Sequence, residues 1–205
     1  TEVKNLVSHI YKKFKKIDCL INSAGFTWEQ MLKAGNDFFE DFENYKFDLW
    51  NKSLKGNLSS SFLLIKNVSK YMKKKKCGSI INIASDAGVI SPDHRIYESD
   101  KSDGYKGTKF NTPLSYSVAK SGIISMTRYL STYFAKSGIR VNCISPSGVF
   151  NGHDKKFVKR LASRIPLGRM ARNNEFDGAL IYLCSDSSSF VTGHNLIIDG
   201  GRTIW

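Results

Sequence analysis

A tyrosine and a lysine lie four positions apart in the sequence, at Tyr116 and Lys120. On a helix, this spacing places both side chains on one face. A free tyrosine has a pKa near ~10 and is therefore a poor base at neutral pH. A cation about 4 Å away contributes roughly 4 kcal/mol at an effective dielectric of ~20, so we expect Lys120 to lower the pKa of Tyr116 by up to about three units. The pair predicts a proton shuttle that works near neutral pH.

Ser85 follows a short apolar segment, residues 79–84, that has the pattern of a buried strand. Its hydroxyl is a candidate to hydrogen-bond the oxygen atom on which the reaction takes place. A tyrosine and a lysine at this spacing are common by chance, so the pair alone does not distinguish a catalytic site from two unrelated helix residues. The elements that position these side chains must therefore be considered.

Strand-like and helix-like apolar patterns alternate along the chain. Helices are predicted at residues 3–14, 54–71, 116–135, 157–164 and 175–185, and strands at residues 17–21, 79–84, 141–145 and 196–198. This alternation indicates βαβ units and a parallel sheet covered on both faces. Ligands of such sheets bind beyond the carboxyl ends of the strands. We therefore expect the site to be built from residues 22–25, 85–88 and 146–151.

Five motifs occur in a fixed order along the sequence. They are residues 21–25 (Ile-Asn-Ser-Ala-Gly), 78–85 (Gly-Ser-Ile-Ile-Asn-Ile-Ala-Ser), 116–120 (Tyr-Ser-Val-Ala-Lys), 140–146 (Arg-Val-Asn-Cys-Ile-Ser-Pro) and 191–201 (Val-Thr-Gly-His-Asn-Leu-Ile-Ile-Asp-Gly-Gly). Together they resemble the short-chain dehydrogenase/reductase family from residue 17 onward. The resemblance implies a single α/β domain over residues 1–205, with a Rossmann-like, doubly wound parallel sheet and helices on both faces. It also implies hydride transfer between NAD or NADP and a secondary alcohol or ketone.

The resemblance implies a role for each matching residue. Tyr116 would exchange the proton with the substrate, Lys120 would lower its pKa and hold the nicotinamide ribose, and Ser85 would orient the substrate oxygen. The remaining cofactor contacts that the resemblance implies are Asn22, Ala24 and Gly25 on the adenine side, Pro146, Gly148 and Val149 at the carboxamide, and Asn151 at a phosphate or the carboxamide.

The sequence departs from the family pattern at several points. No Gly-rich turn precedes Asn22, so we expect the first three strands to lie outside this numbering and the natural protein to be longer. Ser53 stands where the family has a catalytic asparagine, which puts the proton relay in doubt. Ser147 replaces a glycine, where a side chain would crowd a backbone close to the cofactor. Asn151 replaces a threonine.

Ser85 and Tyr116 are separated by a long segment, residues 90–113, which we expect to cover the substrate pocket. Its Pro-Asp-x-x-Ile-Tyr-Glu run, together with residues 166–170 and 203–205, is similar to PtmA-like flagellin modification oxidoreductases within the family. This resemblance implies a nucleotide-linked or phosphorylated sugar as the substrate. The predicted substrate contacts are Ser85, His94, Arg95 and Tyr97, with Arg160 and Arg164 as further candidates to bind an anion. A solvated basic surface explains the same arginines equally simply.

The net charge of +13 raises the alternative of a nucleic-acid binder. The one dense basic run, residues 73–76, lies at the predicted end of a helix, where cations are favourable, so we do not expect nucleic acid as a partner. No apolar run approaches the ~20 residues needed to span a bilayer, so we expect no membrane partner either. The four cysteines have no paired spacing and indicate buried or partly buried free thiols in the cytoplasm. The histidines show no metal-ligand spacing, so we predict no metal site.

Two further expectations concern the whole protein. A non-catalytic relative that kept the fold as a binding or scaffold protein is the main alternative to an enzyme, since Ser53 and Ser147 depart from the family pattern. Association into a homodimer or homotetramer is expected, because the helices over residues 54–71 and 116–135 carry more apolar side chains than one sheet face can cover. Those side chains are Phe62, Leu63, Ile65, Met126, Tyr129, Tyr133 and Phe134.

Overall fold

The fold is an α/β arrangement, seen in a computed structural model that describes residues 2–26, 28–33, 36–97 and 111–205. Within these residues the helices are α1 (Glu2–Phe14), α2 (Trp28–Lys33), α3 (Phe47–Leu54), α4 (Ser60–Lys75), α5 (Leu114–Phe134), α6 (Lys155–Ala162) and α7 (Asp177–Cys184). The strands are β1 (Cys19–Asn22), β2 (Gly78–Ile83), β3 (Ile139–Pro146) and β4 (Asn195–Ile198).

The four strands form one parallel sheet in the order β1–β2–β3–β4. The register pairs Ile80 of β2 with Leu20 of β1 and with Val141 of β3, and it pairs Ile144 of β3 with Leu196 of β4. Because all strands run in one direction, their carboxyl ends lie along the same edge of the sheet. The predicted parallel sheet is therefore confirmed.

Helices cover both faces of the sheet, as expected. On one face, α1, α4 and α5 pack against β2 and β3 through a cluster that includes Val7, Ile65, Met72, Ile80 and Val141. On the other face, α7 packs through Leu183 against Ile81 and Ile144. Strands buried on both faces read as continuous apolar runs, which is why their positions were predictable from the sequence.

A buried polar contact ties the sheet to α5. The side chain of Asn82, at the end of β2, accepts a hydrogen bond at 2.7 Å from Nδ2 of Asn22 and donates one at 2.9 Å to Oγ1 of Thr127. All three residues are buried, so each bond compensates for the loss of water at a polar group. The contact fixes the position of α5 relative to the carboxyl ends of β1 and β2.

The helix predicted over residues 54–71 differs from the observed elements. The chain forms α3, then a π-helical turn over Lys55–Ser59, and only then α4, which continues to Lys75. Inside the turn, the Oγ of Ser60 donates to the carbonyl of Gly56 at 2.7 Å. A Cβ on Gly56 would lie 2.6 Å from Cβ of Phe26, so this turn passes close to the segment after β1. A π turn has no periodic sequence pattern of its own, and the sequence therefore did not predict it.

Three of the side chains predicted to be surplus apolar surface lie inside the protein. Ile65 and Phe134 belong to the core on the first face, and Met126 packs against it. Phe62, Leu63, Tyr129 and Tyr133 are exposed, as the association argument requires. In the described ranges, no helix combines the length and apolarity that a membrane crossing needs.

Candidate active site

The site lies at the carboxyl ends of the strands. Asn22 ends β1, Ser85 follows β2 by two residues, and Ser147 follows β3 directly. All three of these residues are buried. Small polar residues at this edge leave room for a flat ligand against the sheet, and the parallel topology brings them together from distant parts of the sequence. The structure thus brings the residues that were predicted to form the site to one edge of the sheet.

Ser85 begins a tight 3-10 turn formed by Asp86–Gly88. Its Oγ donates to Oδ1 of Asp86 at 2.9 Å and accepts from the backbone N–H of Ala87 at 3.2 Å. The same N–H lies 2.7 Å from Oδ1 of Asp86. The serine hydroxyl is therefore held in one orientation by its immediate neighbours in the chain.

Tyr116 lies in the first turn of α5 and packs against a cluster of aromatic side chains that includes Phe38 and Tyr45. A hydrogen bond joins it to Ser85. Burial raises the pKa of Tyr116 to about 12, and the nearby Asp86 carboxylate acts in the same direction, whereas the bond to Ser85 lowers the value. The expected lowering of this pKa is therefore wrong for this structure, since burial dominates over the other contributions.

Lys120 shares a helix face with Tyr116, as the spacing predicted. Its ammonium donates to the carbonyl of Ile83 at 2.8 Å and lies 5.5 Å from the centroid of the Tyr116 ring. It thus lies over the ring face of Tyr116 and against the end of β2. Burial lowers the pKa of Lys120 itself to about 8.

The serine turn and the tyrosine helix are in direct backbone contact at Gly88. A Cβ on this glycine would lie 2.7 Å from the carbonyl carbon of Lys120 and 2.8 Å from the nitrogen of Ser121. The Oγ of Ser121 also donates to the carbonyl of Gly88 at 3.0 Å. This close approach sets the distance between Ser85 and the Tyr116–Lys120 face, so a glycine is needed here.

Residues 146–151 leave β3 along a path fixed by backbone hydrogen bonds. Ser147 donates to the carbonyl of Ile198 at 3.1 Å, and Ala171 donates to the carbonyl of Gly148 at 3.0 Å. Val149 pairs with Ala171, and Asn151 is exposed with its N–H bonded to Nδ1 of His153. This pairing keeps Pro146, Gly148 and Val149 at the edge of the sheet where the carboxamide contact was predicted.

Two features of this segment concern Ser147, which stands where the family pattern has a glycine, and its neighbour Gly148. A Cβ on Gly148 would lie 2.7 Å from Cδ2 of Leu161, so the glycine allows α6 to pack closely. The Oγ of Ser147 is buried and has no hydrogen-bond partner among the described residues. An unsatisfied buried hydroxyl beside the expected carboxamide position fits a donor or acceptor supplied by a bound ligand.

Ser53, the predicted replacement for the family asparagine, is fully buried in α3. Its carbonyl and its Oγ accept from Nδ2 of Asn57, at 3.2 and 3.4 Å. Oδ1 of Asn57 accepts from the backbone N–H of Phe26 at 3.0 Å. An asparagine amide thus lies one helical turn after Ser53, where the sequence reasoning did not assign a role, although the four-residue spacing was a visible signal.

The adenine-side residues occupy the turn after β1. Asn22 is buried and bonds to Asn82, Ala24 is exposed, and Gly25 lies so close to Asn57 that a Cβ would be 2.9 Å from its Oδ1. Asn22 therefore ties β1 to β2, while Ala24 and Gly25 form the turn that follows β1.

The three arginines that were predicted to bind an anion each contact another group of the protein. Arg95 and Arg164 both contact Asp93, at 2.8 and 3.0 Å, and Nε of Arg160 donates to the carbonyl of Ile96. Arg95 lowers the pKa of Asp93 to about 2 through its hydrogen bonds. The role of these arginines in binding an anion stays a prediction, and an anion would have to compete with Asp93 for two of them.

His94 is exposed beside this cluster. Tyr97 is hydrogen-bonded at 2.6 Å to Thr112, near the start of α5, and stacks on Phe157 of α6 with ring centroids 5.8 Å apart. Tyr97 thereby links the serine-side segment to the helix that carries Tyr116. Glu98, the end of the run that suggested the flagellin-modification subgroup, lies outside the described residues.

The cysteines differ in part from the prediction. All four are free, but Cys77 is exposed rather than buried, because it lies at the end of α4 where the chain turns toward β2. The Sγ atoms of Cys19 and Cys184 lie 3.0 Å apart, and burial raises the pKa of Cys19 to about 12. Across the described ranges, no three His, Cys, Asp or Glu side chains are grouped so as to hold a metal ion.

The structure also adds a residue pair that the sequence reasoning missed. Asp86 is buried beside Ser85, and its Oδ2 accepts from Nη1 of Arg202 at 2.5 Å. The position of Asp86 next to Ser85 was a visible signal in the sequence. Arg202 lies 116 residues after Asp86, and only the fold brings the two side chains together.

Comparison with known proteins gives consistent relatives over the whole chain. A family profile described as short chain dehydrogenase matches residues 1–103, and one described as enoyl-(acyl carrier protein) reductase matches residues 103–203. An NAD-dependent glycerol dehydrogenase of Listeria innocua is 32% identical over 98% of this chain and 70% of its own length. A 3-oxoacyl-(acyl-carrier-protein) reductase FabG of Buchnera aphidicola is 34% identical over 95% of this chain and 70% of its own length.

A solved structure shows the same fold. The short-chain dehydrogenase of Leptospira borgpetersenii with bound NAD⁺ has a TM-score of 0.84 and 36% identity, and the match covers 99% of this chain and 71% of that one. The chain belongs to the short-chain dehydrogenase/reductase family, a family of NAD(P)-dependent oxidoreductases. The roles of Ser85, Tyr116 and Lys120 in this chain stay a prediction.

Proposed function

We propose that this protein transfers hydride between NAD or NADP and a secondary alcohol or ketone, with Tyr116 exchanging the proton. The observation that carries this proposal is the hydrogen bond between Tyr116 and Ser85 at the carboxyl end of β2, with the Lys120 ammonium against the same ring. In the reducing direction, the substrate carbonyl carbon would take up hydride, which a bound nicotinamide would supply, and the carbonyl oxygen would take up the proton of Tyr116 as the C=O double bond becomes a single bond. Oxidation is the reverse and starts from the deprotonated Tyr116.

The residues present fit a nicotinamide cofactor. An ammonium has three donors, and Lys120 uses one of them on Ile83 within the described chain, which leaves donors for ribose hydroxyls. Ser147 offers a buried hydroxyl with no partner among the described residues, close to Gly148 and Val149. Asn22, Ala24, Gly25 and Asn151 are the further contacts in this proposal. The cofactor supplies the hydride chemistry, and these residues bind and orient it.

The proposed substrate is a nucleotide-linked or phosphorylated sugar used in surface-glycan synthesis, such as flagellin modification. Support comes from the run over residues 92–98 and from the basic residues His94, Arg95, Arg160 and Arg164 near the serine turn. Tyr97 and Ser85 complete the proposed substrate contacts. The relatives named above include a glycerol dehydrogenase and a 3-oxoacyl-(acyl-carrier-protein) reductase. A polyol and a 3-oxoacyl thioester are therefore the alternative substrates to test.

The experiment is a substrate screen with the full-length protein, following the absorbance of the reduced nicotinamide. The panel contains uridine- and cytidine-linked sugars, sugar phosphates, glycerol, D-threitol and a 3-oxoacyl thioester, each with NAD(H) and NADP(H). We expect the highest kcat/KM with a phosphorylated or nucleotide-linked sugar. A higher kcat/KM with an uncharged polyol or with the thioester would contradict the proposed substrate class, while turnover of any member would support hydride transfer.

The second candidate is a non-catalytic relative that keeps the fold for binding. The raised pKa of Tyr116 and the presence of Ser53 and Ser147 favour it. The presence of Ser85, Tyr116 and Lys120 together argues against it, since a scaffold has no need of all three side chains at one ligand edge. Absence of turnover across the panel, with cofactor binding retained, would favour this candidate.

The proposed assembly is a homodimer or homotetramer in the cytoplasm, where nicotinamide cofactors are available. Support comes from α4 and α5, which expose Phe62, Leu63, Tyr129 and Tyr133, with the two tyrosine rings stacked at 6.3 Å. Exposed aromatic side chains in one area indicate a surface that a partner copy would cover.

A further inference from the structure

We propose that Asp86 and Arg202 are a pair of positioning residues for the reaction. Arg202 holds the Asp86 carboxylate, and that carboxylate fixes the direction in which the Ser85 hydroxyl points. The two side chains are almost entirely buried, with 11% of the Arg202 side chain and 7% of the Asp86 side chain exposed. A buried ion pair is expensive to form, and its position next to the catalytic serine gives a reason for it beyond stability.

The hydrogen bonds define the direction of the serine proton. Ser85 has one proton, and it is donated to Oδ1 of Asp86 at 2.9 Å. With its proton on Asp86, Ser85 meets the protonated Tyr116 as an acceptor, whereas the hydrogen bond that lowers the pKa of Tyr116 is one that Ser85 donates to the phenolate. When Tyr116 loses its proton, the serine hydroxyl has to turn toward the phenolate and leave Asp86. The carboxylate and the phenolate thus compete for the same proton, and Asp86 favours the protonated tyrosine.

Arg202 moderates this competition because its positive charge weakens the carboxylate as an acceptor. The segment that carries it is fixed after β4 by the carboxylate of Asp199, which accepts the N–H of Gly201 at 2.9 Å and of Thr203 at 2.7 Å. Gly200 adopts a φ of +67°, and a Cβ there would lie 2.7 Å from Ile165. The guanidinium is therefore presented by a rigid turn rather than by a free end.

Charged and titratable groups face Tyr116 from each element packed against it. Asp86 approaches from the serine turn, Tyr97 from the following segment, Lys120 from α5 itself, Tyr45 from the segment before α3, and Arg202 reaches Asp86 and Tyr97 from the turn after β4. The negative charge of Asp86 raises the pKa of Tyr116, which is the same direction as the proposed competition for the serine proton would give. Asp86 and Arg202 carry opposite charges, so their removal should shift the tyrosine in opposite directions.

The test has two readouts. One measures turnover and therefore rests on the proposed function, and the other is independent of turnover. The variants are Asp86→Asn, Arg202→Gln and the double variant, in the full-length protein. The first readout is the pH dependence of kcat/KM. The second is the titration of the Tyr116 ring carbon by NMR after 13C labelling of tyrosine, with the signal assigned by its absence in Tyr116→Phe.

We expect Asp86→Asn to lower the apparent pKa of the tyrosine by at least about half a unit and Arg202→Gln to raise it by a similar amount. The double variant should return close to the wild-type value, and Arg202→Lys should restore most of the lost effect. Opposite shifts that cancel are not produced by residues that merely support the fold. Asp18→Asn, which breaks the surface contacts to Lys16 and Lys75, is the matched control and should leave both readouts unchanged.

Shifts in the same direction for both single variants, or no shift in folded variants, would overturn the proposal. Folding is checked for each variant by thermal unfolding, and Asp86→Ser replaces Asp86→Asn if the latter fails to fold. If wild-type protein turns over none of the substrates, the proposed function fails but the NMR titration of Asp86→Asn still decides the positioning role.

Discussion

At the level of single residues, the site depends on how burial distributes protons among Ser85, Tyr116 and Lys120. Burial raises the pKa of the phenol and lowers that of the ammonium, so each group is held closer to its neutral form than in water. The tyrosine therefore keeps its proton to a higher pH than it would in water, and the lysine loses its proton at a lower pH. A bound cofactor and substrate act on this balance.

The lysine makes folding stability depend on pH. Its pKa falls from 10.5 to about 8 on folding, so the unfolded chain binds more protons between these two values. The penalty is fully present below about pH 8 and disappears as the pH rises toward 10.5. We expect the cofactor-free wild type to gain up to about 3 kcal/mol relative to Lys120→Met across this window.

Urea unfolding at a series of pH values measures this difference. Lys136→Met, which changes a lysine at the end of α5, controls for the general effect of losing a charge. If the free energy of unfolding of the wild type falls relative to that of Lys120→Met as the pH rises, the lowered pKa assigned to Lys120 is contradicted.

Asn57 is expected to matter more for stability than the serine it contacts. Asn57→Ala removes the acceptor of the Phe26 N–H and the donor to Ser53, leaving buried polar groups unsatisfied, which costs about 1–3 kcal/mol. Ser53→Ala removes a 3.4 Å contact and should cost less than about 1 kcal/mol. Guanidinium unfolding of the two variants gives the comparison, and an equal or larger loss in Ser53→Ala would show that the contacts are misassigned.

At the level of elements, the turn after β2 and the helix α5 work as one unit. The contact at Gly88 and the bond from Ser121 hold the serine turn against the helix face that carries Tyr116. The buried Asn82 contacts fix the same helix to β1 and β2. The geometry between serine and tyrosine is therefore set by backbone approach and by a polar core contact rather than by either side chain.

Gly88→Ala tests this unit. The added Cβ must displace α5, since the atoms that it meets are backbone atoms at 2.7 and 2.8 Å. We expect kcat/KM to fall at least about tenfold, because a displacement of about 1 Å between reacting groups has large effects on rate. Circular dichroism should retain the helical content.

The control for this variant is Gly178→Ala in α7, where a Cβ meets nothing within 4 Å. It should leave activity unchanged and raise stability by up to about 1 kcal/mol, since alanine favours a helix more than glycine does. Full activity in Gly88→Ala would mean that the approach at this glycine does not set the site.

The sequence was informative about elements with a strong pattern and about residues close in the chain. The buried strands were predicted within a few residues, and Tyr116 and Lys120 share the helix face that their spacing required. The π turn between α3 and α4 was not predicted, since such a turn has no periodic sequence pattern of its own. Arg202 was not predicted either, because a contact across 116 residues has no local signal. The pKa of Tyr116 was predicted with the wrong sign, since burial is set by tertiary structure.

At the level of the whole molecule, apolar clusters of the described residues pack on both faces of the sheet, and the candidate site lies at the carboxyl ends of its strands. The face formed by α4 and α5 still exposes aromatic side chains, including Tyr129 at 69% exposure. Tyr129 lies more than three helical turns beyond Tyr116 along α5, so we expect substitutions on this surface to alter association without altering the site.

Charge placed on that surface should disrupt the proposed assembly. We expect Phe62→Glu combined with Tyr129→Glu to reduce the molecular mass found by light scattering to that of a smaller species, because the charges would lie in an apolar contact. Phe14→Glu, at an exposed position at the end of α1, should leave the mass unchanged. An unchanged mass in the double variant, or a monomeric wild type, would contradict the proposed interface.

The most direct measurement of the central claim compares hydride transfer by the full-length wild type with that by Tyr116→Phe, on the best substrate of the panel. Removal of the phenol oxygen leaves the ring in its aromatic cluster, so fold and cofactor binding should be retained while kcat falls by about 10²–10⁴-fold. Tyr129→Phe is the matched control and should keep full activity. A Tyr116→Phe protein that binds cofactor and turns over substrate at the wild-type rate would contradict the account.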